Sequence, residues 1–376
     1  MKVVVASAFE ASSLKAHAIN TVKIAEGFAK LGHQVHLFCL APRKGPVPIP
    51  QLEAHYGISA PMVWHQLPTA VLGLKITPHW PFFLLALPLM LMLSPDLVYS
   101  RNYILPAMTS RLGIPTIGET HAWPDNRTPQ FRAFIRATHH RAFRRCVTIS
   151  HRLAEQYAKL GADSAKLMVL PDAVDLDMFM RPEVLPAEAS PYAGHGPHVV
   201  YAGHLYDYKG IPTILQAAAL LGDVHFHLVG GLPADIQRHR QTVDALGLQN
   251  VTLHGLKLYG EVPPYLWYAD VLLLPPSAEH PSAAWTSPVK LGEYLASGVP
   301  VIATRIPALL DWLSEGEACF VAPDQPAAMA DAIRRLLTDA SLAARFVAAG
   351  RQKAKDLTYE GRVARMLADW PGKAAS

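Results

Sequence analysis

The stretch Tyr201-Ala-Gly-His-Leu-Tyr-Asp-Tyr-Lys-Gly210 sets a loop glycine close to a lysine, and Ser287-Pro-Val-Lys-Leu-Gly-Glu293 sets a second lysine close to a carboxylate. Residues of these types suit a nucleoside diphosphate. A strand that breaks at Gly203 lets main-chain N–H groups approach an anion, and a helix starting after Gly210 turns its positive end toward the same loop. Lys209 offers a mobile ammonium to the diphosphate. Glu293, placed near the start of a second helix opened by Pro288, can accept both hydroxyls of a ribose. Lys290 has two readings, phosphate ligand or neutraliser of Glu293 one turn away. Ser287 either caps the helix or donates its hydroxyl to a ligand oxygen. His204 is either a phosphate donor, with an imidazole that titrates near neutrality, or a spacer.

Strands and helices must position these groups, and the chain alternates between them. Lys2 to Ala6 reads as a strand, Ile19 to Leu31 as a helical stripe stopped by Gly32, and Gln34 to Leu40 as the next strand, which makes a βαβ unit of a doubly wound parallel sheet. Further strands are expected at 95–100, 115–118 and 145–150. Arg181 to Pro197, rich in Pro, Ala and Gly, reads as a linker. Beyond it lie strand candidates at 198–202, 225–229, 251–254, 270–275, 299–303 and 319–322. The expected organisation is a first α/β domain over 1–180, the linker 181–197, a second over 198–356, and a helix in 357–376 returning to the first. Two such halves facing a cleft would point their strand C-termini into it.

Composition narrows the function. The chain has 376 residues, 51% hydrophobic and 17% charged, enough for two buried cores and too apolar for disorder. A net charge of +4, without aromatic–basic repeats, gives no reason to expect nucleic acid. Cys39, Cys146 and Cys319 lack the spacing of a zinc site or a disulfide framework, which points to a reducing, cytoplasmic setting. Met1-Lys-Val-Val-Val reads as a strand rather than a signal peptide. The apolar window from Trp80 to Leu93 is shorter than the roughly twenty residues of a spanning helix and contains Pro88. A dehydrogenase would need a glycine-rich turn after the first strand, and 6–13 contain no glycine; the phosphate-loop NTPase motif is also absent.

Gly203-x-Leu-x-x-x-Lys-Gly210 together with Ser287-Pro-x-Lys-x-x-Glu-Tyr-x-Ala-x-Gly-x-Pro300 resembles the retaining glycosyltransferases of family 4, which have the two-domain GT-B fold. Gly32-His-Gln-Val35, Gly118-Glu-Thr-His121 and Leu170-Pro-Asp-Ala-Val-Asp175 fall in the family's order, so the resemblance covers nearly the whole chain. It implies sugar transfer from a nucleoside-diphosphate donor to a hydroxyl acceptor with retention, in polysaccharide biosynthesis, with no cofactor beyond the donor. It implies no metal. Lys209, His121 and His204 are the expected catalytic groups. Gly203, Ser287, Pro288, Lys290 and Glu293 are expected at the donor, with Gly255 and Leu256 near its base and Ser12 and Ser13 in the first βα loop. The resemblance assigns His121 to the donor sugar, with Glu119 either orienting it or contacting ligand. Ser12 or Ser13 is equally explained as a helix cap.

Two departures stand out. His204 replaces the family's usual arginine, and Trp285 occupies the place, eight residues before Glu293, where many members carry a second glutamate. A catalytically silent GT-B binding protein is therefore the alternative. A last expectation concerns the acceptor. Arg132, Arg136, His140 and Arg144 recur every four residues and would line one helix face, while Trp80, Phe82 and Phe83 would enter a headgroup boundary. That pattern fits either a solvated helix packed by its apolar face or a lipid-linked acceptor with peripheral contact to an anionic membrane.

Overall fold

The computed structural model describes residues 1–71, 74–75, 80–194, 196–287 and 289–370, without the side chains of 70–80. The chain forms two compact units, Met1–Ala173 with Tyr359–Ser376, and Val174–Thr358. Segment 181–197, read as a linker, falls within the second unit.

The first unit carries seven parallel strands, β1 (Lys2–Glu10), β2 (Gln34–Leu40), β3 (Val63–Leu67), β4 (Leu97–Ser100), β5 (Thr116–Thr120), β6 (Phe143–Thr148) and β7 (Leu167–Val169). Their order is β3-β2-β1-β4-β5-β6-β7. A separate two-stranded ribbon pairs Ala70–Val71 with Leu74–Lys75. Central strands such as β4 and β5 are buried along their whole length, as a parallel sheet covered on both faces requires. Helix α1 (Ala16–Lys30) ends as Gly32 predicts: at φ +80° its N–H donates to Ala29 O, and the His33 N–H donates to Phe28 O, the paired closure of a Schellman cap. Gly27 of α1 lies so close to the C-terminal helix Tyr359–Met366 that an added Cβ would sit 3.1 Å from Tyr359 O. That close approach docks the end of the chain onto the first unit.

Helices α2 (Trp80–Met92), α3 (Ile104–Arg111) and α4 (Pro129–Thr138) pack side by side. Two expectations are corrected here. The four-residue spacing of basic side chains does not run along one helix, because α4 stops at Thr138 and Arg144 lies on β6. The Thr138 hydroxyl donates to Ile135 O and accepts from Asp163 N–H, while Phe143 enters the sheet and meets the Phe134 ring at 5.5 Å. Phe82 and Phe83 do not face outward. Both are fully buried with Ala86, Met90 and Leu105, and the exposed face of α2 is instead Leu84, Leu85, Leu89, Leu91 and Met92. The side chain of Trp80 lies outside the described residues. Among the described residues no helix is long and apolar enough to cross a membrane.

The second unit carries six parallel strands, β8 (His198–Ala202), β9 (His225–Val229), β10 (Val251–Gly255), β11 (Val271–Leu274), β12 (Val301–Thr304) and β13 (Cys319–Val321), in the order β10-β9-β8-β11-β12-β13. Helix α5 (Ile211–Ala219) follows β8, and α6 (Lys290–Ala296) lies between β11 and β12. Both units are doubly wound. The strand order reverses between β1 and β4 in the first and between β8 and β11 in the second, and in open parallel sheets the C-terminal ends at such a reversal are where ligands bind.

Candidate active site

At the β8/β11 reversal the two sequence motifs meet. Gly203 leaves β8 at φ +143°, and a side chain there would overlap the Lys290 ammonium. Gly210 closes the turn Asp207–Lys209 at φ +85° and caps α5, with its Cα pressed against the Pro275 carbonyl just beyond β11. Gly230, after β9, backs onto Gly203 with similar closeness. Only glycine fits these contacts, because each has a positive φ and a Cβ would meet a backbone oxygen at Gly210 and Gly230 and the Lys290 side chain at Gly203.

Lys209, Lys290, Tyr201, Pro275, Pro276 and Thr286 line a small pocket here. Lys290 Nζ donates to Tyr201 Oη at 2.8 Å and stands 4.0 Å over that ring, and Tyr201 Oη donates to His204 O at 2.7 Å. Lys209 Nζ lies 5.0 Å from the Tyr208 ring centre. Among the described residues neither ammonium has a carboxylate within ion-pair distance. Burial lowers the pKa of Lys209; burial, followed by the charge of Lys209, holds Lys290 well below the usual lysine range. Two neighbouring half-buried lysines with no carboxylate at ion-pair distance form a site that gains from an anion. Glu293 lies in the first turn of α6, 9% exposed, and burial raises its pKa to about 7 against the opposing pull of Lys290.

The other candidates fall as follows. The His204 ring stacks on Tyr206 at 5.1 Å, Tyr206 on Tyr208 at 5.4 Å, and Tyr208 on His280 at 4.2 Å. Ser287 is buried, and Pro288 lies outside the described residues. The helix with Glu293 begins at Lys290, with Val289 at its N-cap position. Gly255 ends β10 at φ +72°, its carbonyl accepting from Gly230 N–H, and Leu256 is exposed. Ser12 and Ser13 follow β1, which runs on to Glu10. Neither caps α1, whose N-cap is Lys15; Ser13 Oγ instead accepts from Lys15 N–H, and Ser13 O from Tyr56 Oη.

The first unit holds a second, larger cavity of about 610 Å³ at its own strand reversal, lined by Ser7, His17, Arg101, Asn102, Glu119 and His121 among others. His121 directly follows β5. Its Nε2 lies 2.6 Å from Glu119 Oε1, a contact that favours a proton on Nε2, and Arg101 Nη2 approaches both ring nitrogens, at 2.8 Å from Nε2 and 2.9 Å from Nδ1. Asp172 Oδ1 is 3.8 Å from Nδ1 and accepts from Asn20 Nδ2 at 2.6 Å. Burial alone would raise the pKa of Glu119, but Arg362, His121 and Arg101 outweigh it and hold the carboxylate well below its ordinary range.

Tyr201, Tyr208, Arg101, Asp172 and Arg362 were not singled out as site residues. Tyr201 and Tyr208 lie inside the Gly203–Gly210 motif and Asp172 inside the segment 170–175, so proximity was an available signal; nothing local marks Arg362.

Residues 19–178 match the model described as Glycosyltransferase Family 4, and residues 196–339 the model described as Glycosyl transferases group 1. A putative teichuronic acid biosynthesis glycosyltransferase, TuaC, of Bacillus subtilis is 26% identical over 263 residues, 65% of this chain and 61% of that protein. A D-inositol 3-phosphate glycosyltransferase of Xylanimonas cellulosilytica is 26% identical over 230 residues, 57% of this chain and 53% of that protein. The chain thus spans little more than half the length of these curated relatives. HepE of Anabaena, crystallised with UDP and glucose, shares the fold at a TM-score of 0.74 and 15% identity, covering 98% of this chain and 99% of its own. With two matched models that together take in most of its length and two all-parallel doubly wound sheets, the protein belongs to the GT-B glycosyltransferases of family 4.

Proposed function

We propose that the protein transfers a sugar from a nucleoside diphosphate to a hydroxyl acceptor with retention at the anomeric carbon and without a metal. The observation that carries this reading is the pair of half-buried ammonium groups, Lys209 and Lys290, with no carboxylate at ion-pair distance, beside the Gly203 loop. The leaving group is a diphosphate, so the charge to be stabilised develops on the β-phosphate, and two fixed cations and main-chain N–H groups supply that stabilisation. The departing phosphate takes the acceptor proton as the new glycosidic bond forms, so the reaction balances without a protein base. His121 meets the transferred sugar, and Ser12, Ser13, Gly255 and Leu256 belong to the donor's surroundings. The UDP and UDP-glucose complexes of HepE support uridine as the first base to test. Thermal shift with UDP-glucose, GDP-mannose and ADP-glucose tests donor binding, since a ligand at 100 times its Kd adds about 2.7 kcal/mol. No shift with any of them, with no sugar transfer, leaves the reading without a substrate.

Glu293 gives a signed pH test. Its carboxylate accepts both ribose hydroxyls only when ionised, and its pKa is raised to about 7. UDP affinity should therefore rise as pH climbs from 6 to 8. Glu293→Gln should bind UDP roughly tenfold or more weakly, as loss of a charge-assisted contact implies, with a flatter profile. The parent should lose affinity for 2′-deoxy-UDP and the variant should not. An affinity that falls with pH would remove Glu293 from the ribose and point to an imidazolium at His204 instead.

The acceptor is proposed to be lipid-linked, and the exposed leucine face of α2 supports this. Leu84, Leu85, Leu89, Leu91 and Met92 are 38–81% exposed on a helix with no charged side chain, while Arg132 and Arg136 are exposed on α4, in the same row of helices. An apolar face beside basic side chains suits an anionic bilayer surface. Co-sedimentation should show binding to phosphatidylglycerol vesicles, weakened by salt, and lost when Leu84, Leu89 and Met92 become Gln. Equal pelleting with neutral vesicles, or none with either, overturns the membrane reading.

A further inference from the structure

Arg362, on the C-terminal helix, is the largest fully buried side chain among the described residues. Its hydrogen bonds are internal to the first unit. Nη1 donates to Glu119 Oε2 at 2.6 Å, Nε to Pro171 O at 2.7 Å and Nη2 to Leu170 O at 3.2 Å. The second oxygen of the same Glu119 carboxylate holds the His121 Nε2 proton, while Leu170 and Pro171 immediately precede Asp172, the other carboxylate flanking His121. One guanidinium thus anchors both acids that flank the imidazole. It does so at a cost in desolvation that a well-packed apolar residue would not incur, since buried ion pairs are seldom more stable than hydrophobic replacements.

We propose that Arg362 is a positioning residue for the transfer reaction: acting through Glu119 and the Leu170–Pro171 carbonyls, it sets the tautomer and orientation of His121. This rests on the reading that His121 meets the transferred sugar. Nη1 of Arg362 and the Tyr99 hydroxyl, each 2.6 Å from Oε2, leave that oxygen fully engaged, so Oε1 remains to fix the proton on Nε2. Nδ1 then keeps its lone pair for Arg101 or for a sugar hydroxyl. The charged and titratable groups around Glu119 are Tyr99 on β4, Arg101 after it, His121 after β5 and Arg362. Removing Arg362 deletes the largest of the opposing charges. Burial would then drive Glu119 toward its protonated form, in which it can no longer dictate the tautomer.

The test measures UDP release from UDP-glucose, or from whichever of the three donors is turned over, across pH 5–9. Arg362→Gln should lower kcat/KM at least tenfold and move its acid limb upward by about one pH unit or more, with UDP affinity unchanged because the nucleotide pocket lies in the other unit. Arg362→Lys should keep the acid limb in place with a smaller loss. Glu119→Gln combined with Arg362→Met removes both charges, is expected to fold, and should match the loss of Arg362→Gln. In a His121→Ala background Arg362→Gln should cost less than threefold more, since its effect passes through the missing imidazole. A full tenfold loss in that background, or an unmoved acid limb in a folded variant, overturns the proposal. If His121→Ala alone keeps parent turnover, the reading of His121 has failed and the proposal falls with it.

Discussion

Lys209→Ala should leave the protein folded and reduce turnover by roughly 10² to 10³, the effect of removing one preorganised donor from a developing oxyanion, or about 2.7–4 kcal/mol. Lys209 is suited to this because its ammonium has no carboxylate partner among the described residues and already carries the cost of partial desolvation, seen in its lowered pKa. Lys290 cannot substitute for it, being held against Gly203 and Tyr201. Since the contact strengthens as charge moves onto the β-phosphate, kcat should fall more than KM rises. The check is steady-state kinetics beside UDP binding. Turnover within threefold of the parent would remove Lys209 from the chemistry.

Gly210→Ala should have the largest effect on stability. At φ +85° an alanine already costs roughly 1 kcal/mol, and its Cβ would overlap the Pro275 carbonyl, which belongs to a strand end and cannot swing away as a flexible side chain could. Strain of this kind reaches the range above about 4 kcal/mol, or roughly a 10 °C fall in Tm for a unit of this size. Gly32→Ala is the matched control, with a similar φ of +80° and open space around its Cβ. Equal melting of the two variants would show that the Pro275 contact is not tight. Nucleotide binding should be lost in Gly210→Ala alone, because the displaced loops are those that meet at the pocket.

The Gly203–Gly210 loop was legible because its parts are local. A buried strand, a glycine at its end, a lysine and a helix-starting glycine follow one another within 198–211, and the structure brings them to the strand reversal. Most strand positions were also legible to within a few residues, since uninterrupted apolar runs between turns leave little choice in a parallel sheet. What failed was orientation without a polar contrast. Helix α2 is apolar all round, so its periodicity could not tell the buried Phe82 and Phe83 from the exposed Leu84 and Leu89. A spacing of four likewise persists from Arg132 to Arg144 although the backbone changes from helix to strand at the Thr138 stop. Arg362 was out of reach for another reason: its meaning depends on Glu119, from which 243 positions of sequence separate it, and an arginine in a C-terminal helix ordinarily faces water.

The first unit is assembled from both ends of the described chain, Met1–Ala173 and the segment beginning at Tyr359. During synthesis its sheet strands emerge before any part of the second unit, yet Glu119 stays buried without its guanidinium until residues beyond 358 have left the ribosome. The unit made first is therefore the one completed last. The intervening unit is continuous in sequence, whereas a nascent first unit holds a Glu119 carboxylate that lacks its Arg362 partner and an open groove along α1, where Gly27 awaits Tyr359. Emergence of the segment beginning at Tyr359 becomes the step that locks the histidine pocket.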